Sequence, residues 1–247
     1  WGWGGEANAY QLANAGYPVV MSNATNLYFD LCYEKNPLEP GYYWAGFVNS
    51  KTVYEFTPFD VYKSAKVNRM GGELSYASYD KSTRLTSQGK NNIKGIQGQL
   101  WSETIMTGQN RMEYMLYPRL TALAERAWAK TPTWSQEEDH ELRKEMFDEA
   151  WSGFATKMGV NEYNVLTQQE VSFRVPTPGA KIEGSTLYAN VIFPGLEIRY
   201  TLDGTKPTKE SNLYLAPVQV KDGIEVKLAV FVPNSGKSSR VVNLYNN

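Results

Sequence analysis

The sequence is poor in the residue types that several kinds of chemistry require. Cys32 is its one cysteine and His140 its one histidine. A single thiol cannot close an internal disulfide, and a zinc site of the Cys/His kind is excluded by count. A Ser-His-Asp or Cys-His triad would have to use His140, which lies in the charged helical stretch EEDHELRKE, where a solvated surface position is expected. No apolar run approaches the length of a membrane span. The formal net charge of -1 gives no field that would draw nucleic acid or an anionic membrane surface. No cofactor is expected. A signal peptide is also missing, and the chain opens on Trp1 in WGWGG without a methionine, so the expectation is a fragment or a processed piece.

What is present is ordinary globular material, with 42% hydrophobic and 21% charged residues. Its 7 Trp and 17 Tyr stand out because several Trp fall in Gly-rich, loop-like stretches such as WGWGG and GYYWAG. A Trp on a loop exposes apolar area unless something covers it. The flat C–H face of a sugar is one cover and the protein core is the other.

Residues 6–16, EANAYQLANAG, read as a short helix closed by Gly16. PVVMSN reads as a buried parallel strand. An irregular stretch follows from about Ala24 to Lys94, with an excursion or flap at 64–92. KGIQGQLW reads as another buried strand whose glycines admit neighbouring backbone. The spacing of Met112, Met115, Leu116, Leu123, Ala124 and Ala127 predicts helix from roughly Arg111 to Lys130, with a turn or kink at Pro118. Ser135 and Glu138 form a capping box for a second helix, striped by Leu142, Met146, Trp151 and Phe154 and ended by Gly159. Helix, strand, long loop, strand, helix is the grammar of an α/β barrel.

From Val171 the style changes to short alternating runs: VSFRV, TLYANVIF, EIRYTL, VQVKDGIEVKLAVFV and SRVVNLY. These predict a small antiparallel sandwich, with Asp203-Gly204 as a tight hairpin turn. The expected division is 1–165 for the barrel part with a trailing helix, and 166–247 for the sandwich.

Two carboxylates follow strand-like segments: Asp30 in NLYFD and Glu103 in LWSE. Tyr28 and Trp101 precede them by two residues, so on an extended backbone each aromatic shares a side with its acid. Two aromatic–carboxylate pairs facing one cleft suit a sugar. Either acid could instead pair with a lysine, and Glu103 could serve the N-terminus of the following helix.

The segments SNATNLYFD, EPGYYWAG, GIQGQLWSE and YPRLTALAERAW, in that order, resemble the second half of a family 20 glycoside hydrolase of the chitobiase-like branch. The tail IRYTLDGTKPT, followed by YLAP, resembles the chitobiase-type C-terminal domain. The resemblance implies the C-terminal part of a (β/α)8 TIM barrel followed by a small all-β, immunoglobulin-like sandwich. It also implies a retaining β-N-acetylhexosaminidase, in which the substrate's own 2-acetamido oxygen attacks the anomeric carbon. Tyr28 matches the tyrosine that steadies that oxygen. Asp30 and Glu103 match the acids that bind the hydroxyls of the terminal sugar, chiefly O4 and O6. Trp101 matches the floor on which that sugar stacks, and Trp44 an aromatic of the neighbouring subsite. Trp3, or else Trp1, matches a wall around the acetamido methyl.

One departure matters. The family's adjacent Asp-Glu pair, preceded by glycines, supplies the general acid. The one Asp-Glu neighbour pair here is Asp148-Glu149 in EMFDEAW, which reads as a solvated helix face. The family's upstream arginine has no match either. The catalytic pair is therefore expected before residue 1, leaving the chain inactive alone and in need of its N-terminal part or another copy. The expected partner is a glycan or oligosaccharide with a terminal N-acetylhexosamine, and family members are mostly periplasmic or secreted. Two other readings are a carbohydrate-binding or interaction module without catalysis, and an ordinary two-carboxylate glycosidase using Asp30 and Glu103.

Overall fold

The computed structural model describes residues 6–68, 72–79, 81–106 and 108–246, which fall into two compact units, Trp1–Trp151 and Ser152–Asn247. No helix among the described residues is long and apolar enough to cross a membrane.

In the first unit, α1 (Glu6–Asn14) ends as its sequence dictates. Gly16 adopts φ +96° and donates to the Ala13 carbonyl, while the Tyr17 N–H reaches back to Leu12. This is the left-handed glycine cap that satisfies the last carbonyls of a helix. Strand β1 (Val19–Met21) pairs in parallel with β2 (Ile93–Ile96). Between them come three short helices, α2 (Ala24–Leu27), α3 (Ser50–Tyr54) and α4 (Ser87–Lys90). The flap is thus partly built: it carries α4 and a 3-10 turn at Tyr76–Tyr79, and Tyr79 is buried.

The expectation of a buried second strand fails. β2 covers only IKGI, and its residues are half-buried or exposed. The physical reason is its surroundings: the sheet has two strands among the described residues, whereas a parallel strand is buried only when both its flanks and faces are covered. The glycines also act otherwise than expected. A Cβ on Gly95 would meet nothing within 4 Å, whereas one on Gly98 would stand 2.9 Å from the Phe29 ring. Gly98 therefore admits an aromatic side chain, not backbone.

After β2 come α5 (Gln109–Leu116) and α6 (Arg119–Trp128), broken at Pro118 as expected. The buried face of α6 keeps the predicted Leu123 but not Ala124 or Ala127. Arg119, Ala122, Leu123 and Arg126 face inward, while Ala124 and Ala127 are exposed. Two arginines take core positions: carbonyls and aromatic rings receive Arg119, and aromatic rings receive Arg126. The Arg126 guanidinium lies 5.3 Å from the Trp134 ring, and burial lowers its pKa.

The short α7 (Thr133–Gln136) contains Ser135, so Ser135 does not cap the next helix. That helix, α8 (His140–Lys157), is capped instead by Asp139, whose Oδ1 accepts from the Leu142 N–H at 2.8 Å. Of the predicted stripe, Trp151 is buried, Met146 and Phe154 are half-buried and Leu142 is not part of the inner face. Arg143, Phe147 and Trp151 are buried, and Leu142 is exposed. Tyr54, Trp134, Phe147 and Trp151 form the aromatic core there, with ring centroids 5.0–6.4 Å apart. Asp148 lies exposed on the outer face, 2.9 Å from Lys51.

The second unit begins within α8. Gly159 does not end the helix: the chain passes through a π turn at Met158–Glu162 into α9 (Tyr163–Gln168). A Cβ at Gly159 would stand 2.0 Å from the Pro194 carbonyl oxygen, so glycine is there for close approach. Glu170, at φ 57°, makes the actual stop, with the Val171 N–H bonded to the Leu166 carbonyl.

Two antiparallel sheets follow. One is ordered β3-β4-β7 (Gly179–Glu183, Thr186–Asn190, Val218–Gln219). The other is ordered β6-β5-β8-β9 (Asn212–Leu213, Glu197–Thr201, Glu225–Phe231, Val242–Tyr245). Leu187, Val226, Leu228 and Val230 are fully buried. VSFRV forms no strand. Phe173 packs instead on Tyr163, whose hydroxyl donates to the Arg174 carbonyl at 3.0 Å. Asp203-Gly204 forms a turn, with Asp203 Oδ1 accepting from the Thr205 N–H at 3.0 Å. It is not a two-residue hairpin, because β5 ends at Thr201 and β6 begins at Asn212.

Candidate functional site

The candidate residues come from three segments of the first unit, joined by two single-residue bridges. Tyr28 pairs with Gln99 and Leu31 with Tyr42, both in parallel. In the first, the Phe29 N–H donates to the Gln99 carbonyl at 2.6 Å and the Gln99 N–H to Leu27 at 2.9 Å. In the second, the Tyr42 N–H donates to the Asp30 carbonyl at 2.8 Å and the Cys32 N–H to Tyr42 at 2.7 Å. These bridges set the segments 27–32, 41–44 and 99–103 side by side.

Three of the predicted rings meet. Tyr28 lies edge to face with Trp44, centroids 6.0 Å apart and planes at 83°, and tilted against Trp101 at 6.5 Å. Tyr28 is buried at 4% exposure, while Trp44 and Trp101 each keep 40%. The result is a half-open aromatic wall with a phenol at its base.

Asp30 lies in a turn beside it, since α2 intervenes between β1 and Tyr28 and the segment is not extended. The simple alternation of aromatic and acid therefore does not describe this backbone, although it places both groups at one site. The Asp30 carboxyl is buried, and its Oδ1 finds no hydrogen-bond partner among the described residues. Burial pushes its pKa up, its own backbone N–H and then Arg119 oppose the rise, and the nearby Glu103 charge adds a smaller one. Tyr28 is raised too, by burial and then by Asp30. Glu103 is exposed, in the first turn of the 3-10 segment Ser102–Thr104 that Trp101 precedes. Trp1 and Trp3 lie outside the described residues.

A buried acceptor without a donor costs about 1–3 kcal/mol, and more when charged. An acceptor in that state beside an open aromatic wall is chemically ready for a ligand that brings hydroxyl donors and a flat apolar face. No cluster of His, Cys, Asp or Glu among the described residues could hold a metal ion. A cavity of about 820 Å³ lies elsewhere, lined by Ile93–Ile96 of β2, Arg126 and Phe59, and none of the candidate residues borders it.

Sequence reasoning missed Arg119. Its signal was present in YPRLTALAERAW: a charged residue at the head of an apolar helical face, three and four residues before Ala122 and Leu123.

Comparison with known proteins bears on these residues. The model of the glycosyl hydrolase family 20 catalytic domain matches residues 1–131, and that of the chitobiase/beta-hexosaminidase C-terminal domain matches 162–241. A beta-hexosaminidase of Vibrio vulnificus is 32% identical over 267 residues, covering 99% of this chain and 30% of that protein. The N,N'-diacetylchitobiase of Vibrio harveyi is 33% identical, covering 82% and 23%. Among solved structures, the GH20 exo beta-N-acetylglucosaminidase of Vibrio harveyi in complex with N-acetylglucosamine aligns over 70% of this chain and 21% of its own, at 26% identity and a TM-score of 0.45. The chain thus spans less than a third of the length of these curated relatives. With more than half of its residues matched by the catalytic-domain model, and with the Tyr28, Asp30, Trp44, Trp101 and Glu103 segments inside that match, the chain belongs to glycosyl hydrolase family 20.

Proposed function

We propose that this chain forms the terminal-sugar pocket of an exo-β-N-acetylhexosaminidase acting on glycans or oligosaccharides that end in β-linked N-acetylglucosamine or N-acetylgalactosamine. The carrying observation is Asp30 Oδ1, buried with no donor among the described residues beside the open rings of Trp44 and Trp101. Asp30 and Glu103 accept from the sugar's O4 and O6 hydroxyls, and Trp101 lies under the ring. Tyr28 donates to the acetamido oxygen as that oxygen attacks the anomeric carbon. The charge that develops on the resulting oxazolinium is where a fixed donor helps most. Water then opens the oxazolinium with retention of configuration, the substrate-assisted variant of glycoside hydrolysis.

The general acid and the residue that orients the acetamido nitrogen lie outside the 247 residues. Within them the only Asp followed directly by Glu is Asp148-Glu149, and Asp148 is engaged on an exposed helix face with Lys51. In this reading the first unit is the C-terminal part of a (β/α)8 barrel completed by N-terminal sequence or another copy. The second is an immunoglobulin-like sandwich that packs, and the protein works in the periplasm or outside the cell. The same missing acid also favours a second reading, a sugar-binding module without catalysis.

The test is hydrolysis of a chromogenic N-acetyl-β-glucosaminide by this chain and by a version extended toward the N-terminus. Turnover by the extended protein alone is the expected result. Turnover by the chain itself would place the acid among these residues. Turnover by neither, with sugar still bound, would favour the binding module.

A further inference from the structure

Arg119 opens α6 at a position with no solvent exposure. Its Nη1 donates to the carbonyls of Leu31 at 2.7 Å and Val48 at 3.0 Å, its Nη2 to Phe29 at 2.5 Å, and its Nε to Met115 at 2.9 Å. Its guanidinium lies 3.8 Å from the Tyr33 ring centroid and 5.0 Å from that of Phe29. Phe29 and Leu31 are the two neighbours of Asp30. One planar fork therefore grips the backbone on both sides of the carboxylate-bearing residue, while the Asp30 carbonyl is held by the Tyr42 N–H. Lysine cannot reproduce this, because only a guanidinium presents donors in a rigid planar array.

Burying a guanidinium is costly, and helix packing alone would be served as well by Leu or Met. At this position the charge also has a use. The groups that face the Asp30 carboxyl electrostatically are Arg119 from α6, Glu103 from the 3-10 turn and Tyr28 from its own segment, and Arg119 is the cation among them. We infer that Arg119 is a positioning residue for sugar recognition: its fork fixes the Phe29–Leu31 backbone so that Asp30 meets the sugar hydroxyl, and its charge faces that carboxylate. The inference rests on the assignment of Asp30 as a hydroxyl acceptor. Its electrostatic half can be measured without any sugar.

The experiment uses the 247-residue chain, with Arg119→Met and Arg119→Lys. Asp30 ionisation is followed by the ¹³C shift of its carboxyl carbon, and N-acetylglucosamine binding by tryptophan fluorescence. Arg119→Met should move the Asp30 midpoint to higher pH and weaken binding about tenfold or more. Arg119→Lys keeps the charge and loses the fork, so its midpoint should stay near wild type while binding still weakens. Folded variants with a wild-type midpoint and wild-type affinity would reduce Arg119 to a core residue and overturn the inference. If Arg119→Met does not fold, unchanged sugar affinity in Arg119→Lys overturns it alone. If neither the wild-type chain nor its N-terminally extended version binds N-acetylglucosamine, the pocket assignment fails, and an unchanged midpoint in Arg119→Met would then separately refute the role of the charge.

Discussion

A β-carbon on Gly41 would stand 2.6 Å from the Asp30 carbonyl oxygen and 2.9 Å from the Cys32 nitrogen. Gly41 also adopts φ +119°, a backbone region that side chains rarely enter. This contact lets the segment carrying Trp44 lie against the segment carrying Tyr28 and Asp30. Gly41→Ala should cost about 1–3 kcal/mol in stability and weaken sugar binding with it. Urea unfolding and fluorescence titration check both, and a loss of stability with full affinity would separate the glycine from the site.

Tyr28→Phe leaves the ring contacts with Trp44 and Trp101 in place and removes the phenol. In the N-terminally extended enzyme its kcat should fall about 100-fold, the size of effect seen when one donor to a developing charge is lost. KM should change far less, because in the proposed mechanism the hydrogen bond strengthens as the oxazolinium forms. Steady-state kinetics decide it, and a change confined to KM would remove the role.

Asp30 bears on acid stability with a definite sign. Its pKa is raised in the folded chain above the ordinary value of 3.8, so the folded state holds the proton more tightly than the unfolded state. Stability therefore falls as pH rises through and above that value. Asp30→Asn should abolish this fall and leave the sugar-free chain more stable at neutral pH, while sugar binding is lost. Urea unfolding at pH 4 and pH 7 for both proteins tests this, and an equal pH response in the two would contradict it.

The outer flank of β2 has no strand beside it among the described residues, and Met106 and Trp128 are almost fully exposed. Open sheet edges and bare apolar surface promote association. Sedimentation of the 247-residue chain should show species larger than one chain that grow with concentration. A single monomeric boundary at every concentration would contradict this.

The features legible in the sequence were local or carried by motif. Gly16 closed its helix, Pro118 broke one, and Tyr28, Trp44 and Trp101 met at one site as their segments implied. The misreadings share a cause. The apolar positions that define the helices leave out Arg119, Arg126 and Arg143, whereas each of these is buried against aromatic rings. Turning arginines inward rotates the buried faces of α6 and α8, which is why Ala124, Ala127 and Leu142 proved exposed. Hydrophobic periodicity cannot register a guanidinium whose charge is met by carbonyls distant in sequence. Gly159 misled for a related reason: its neighbour is the Pro194 backbone, 35 positions along the chain, and a glycine admitting another segment reads the same as one ending a helix.

The two bridges that assemble the site are each one residue wide, so four amides, those of Phe29, Cys32, Tyr42 and Gln99, tie its three segments together. A ladder of that size has no neighbouring rungs to share strain, and its protons should exchange with solvent by local opening well below the global unfolding free energy. In the proposed pocket a sugar would rest on Trp101 and Asp30, and so would touch two of the three segments that this opening separates. Slowing of deuterium uptake at those amides would therefore report occupancy directly, even in a chain that turns nothing over.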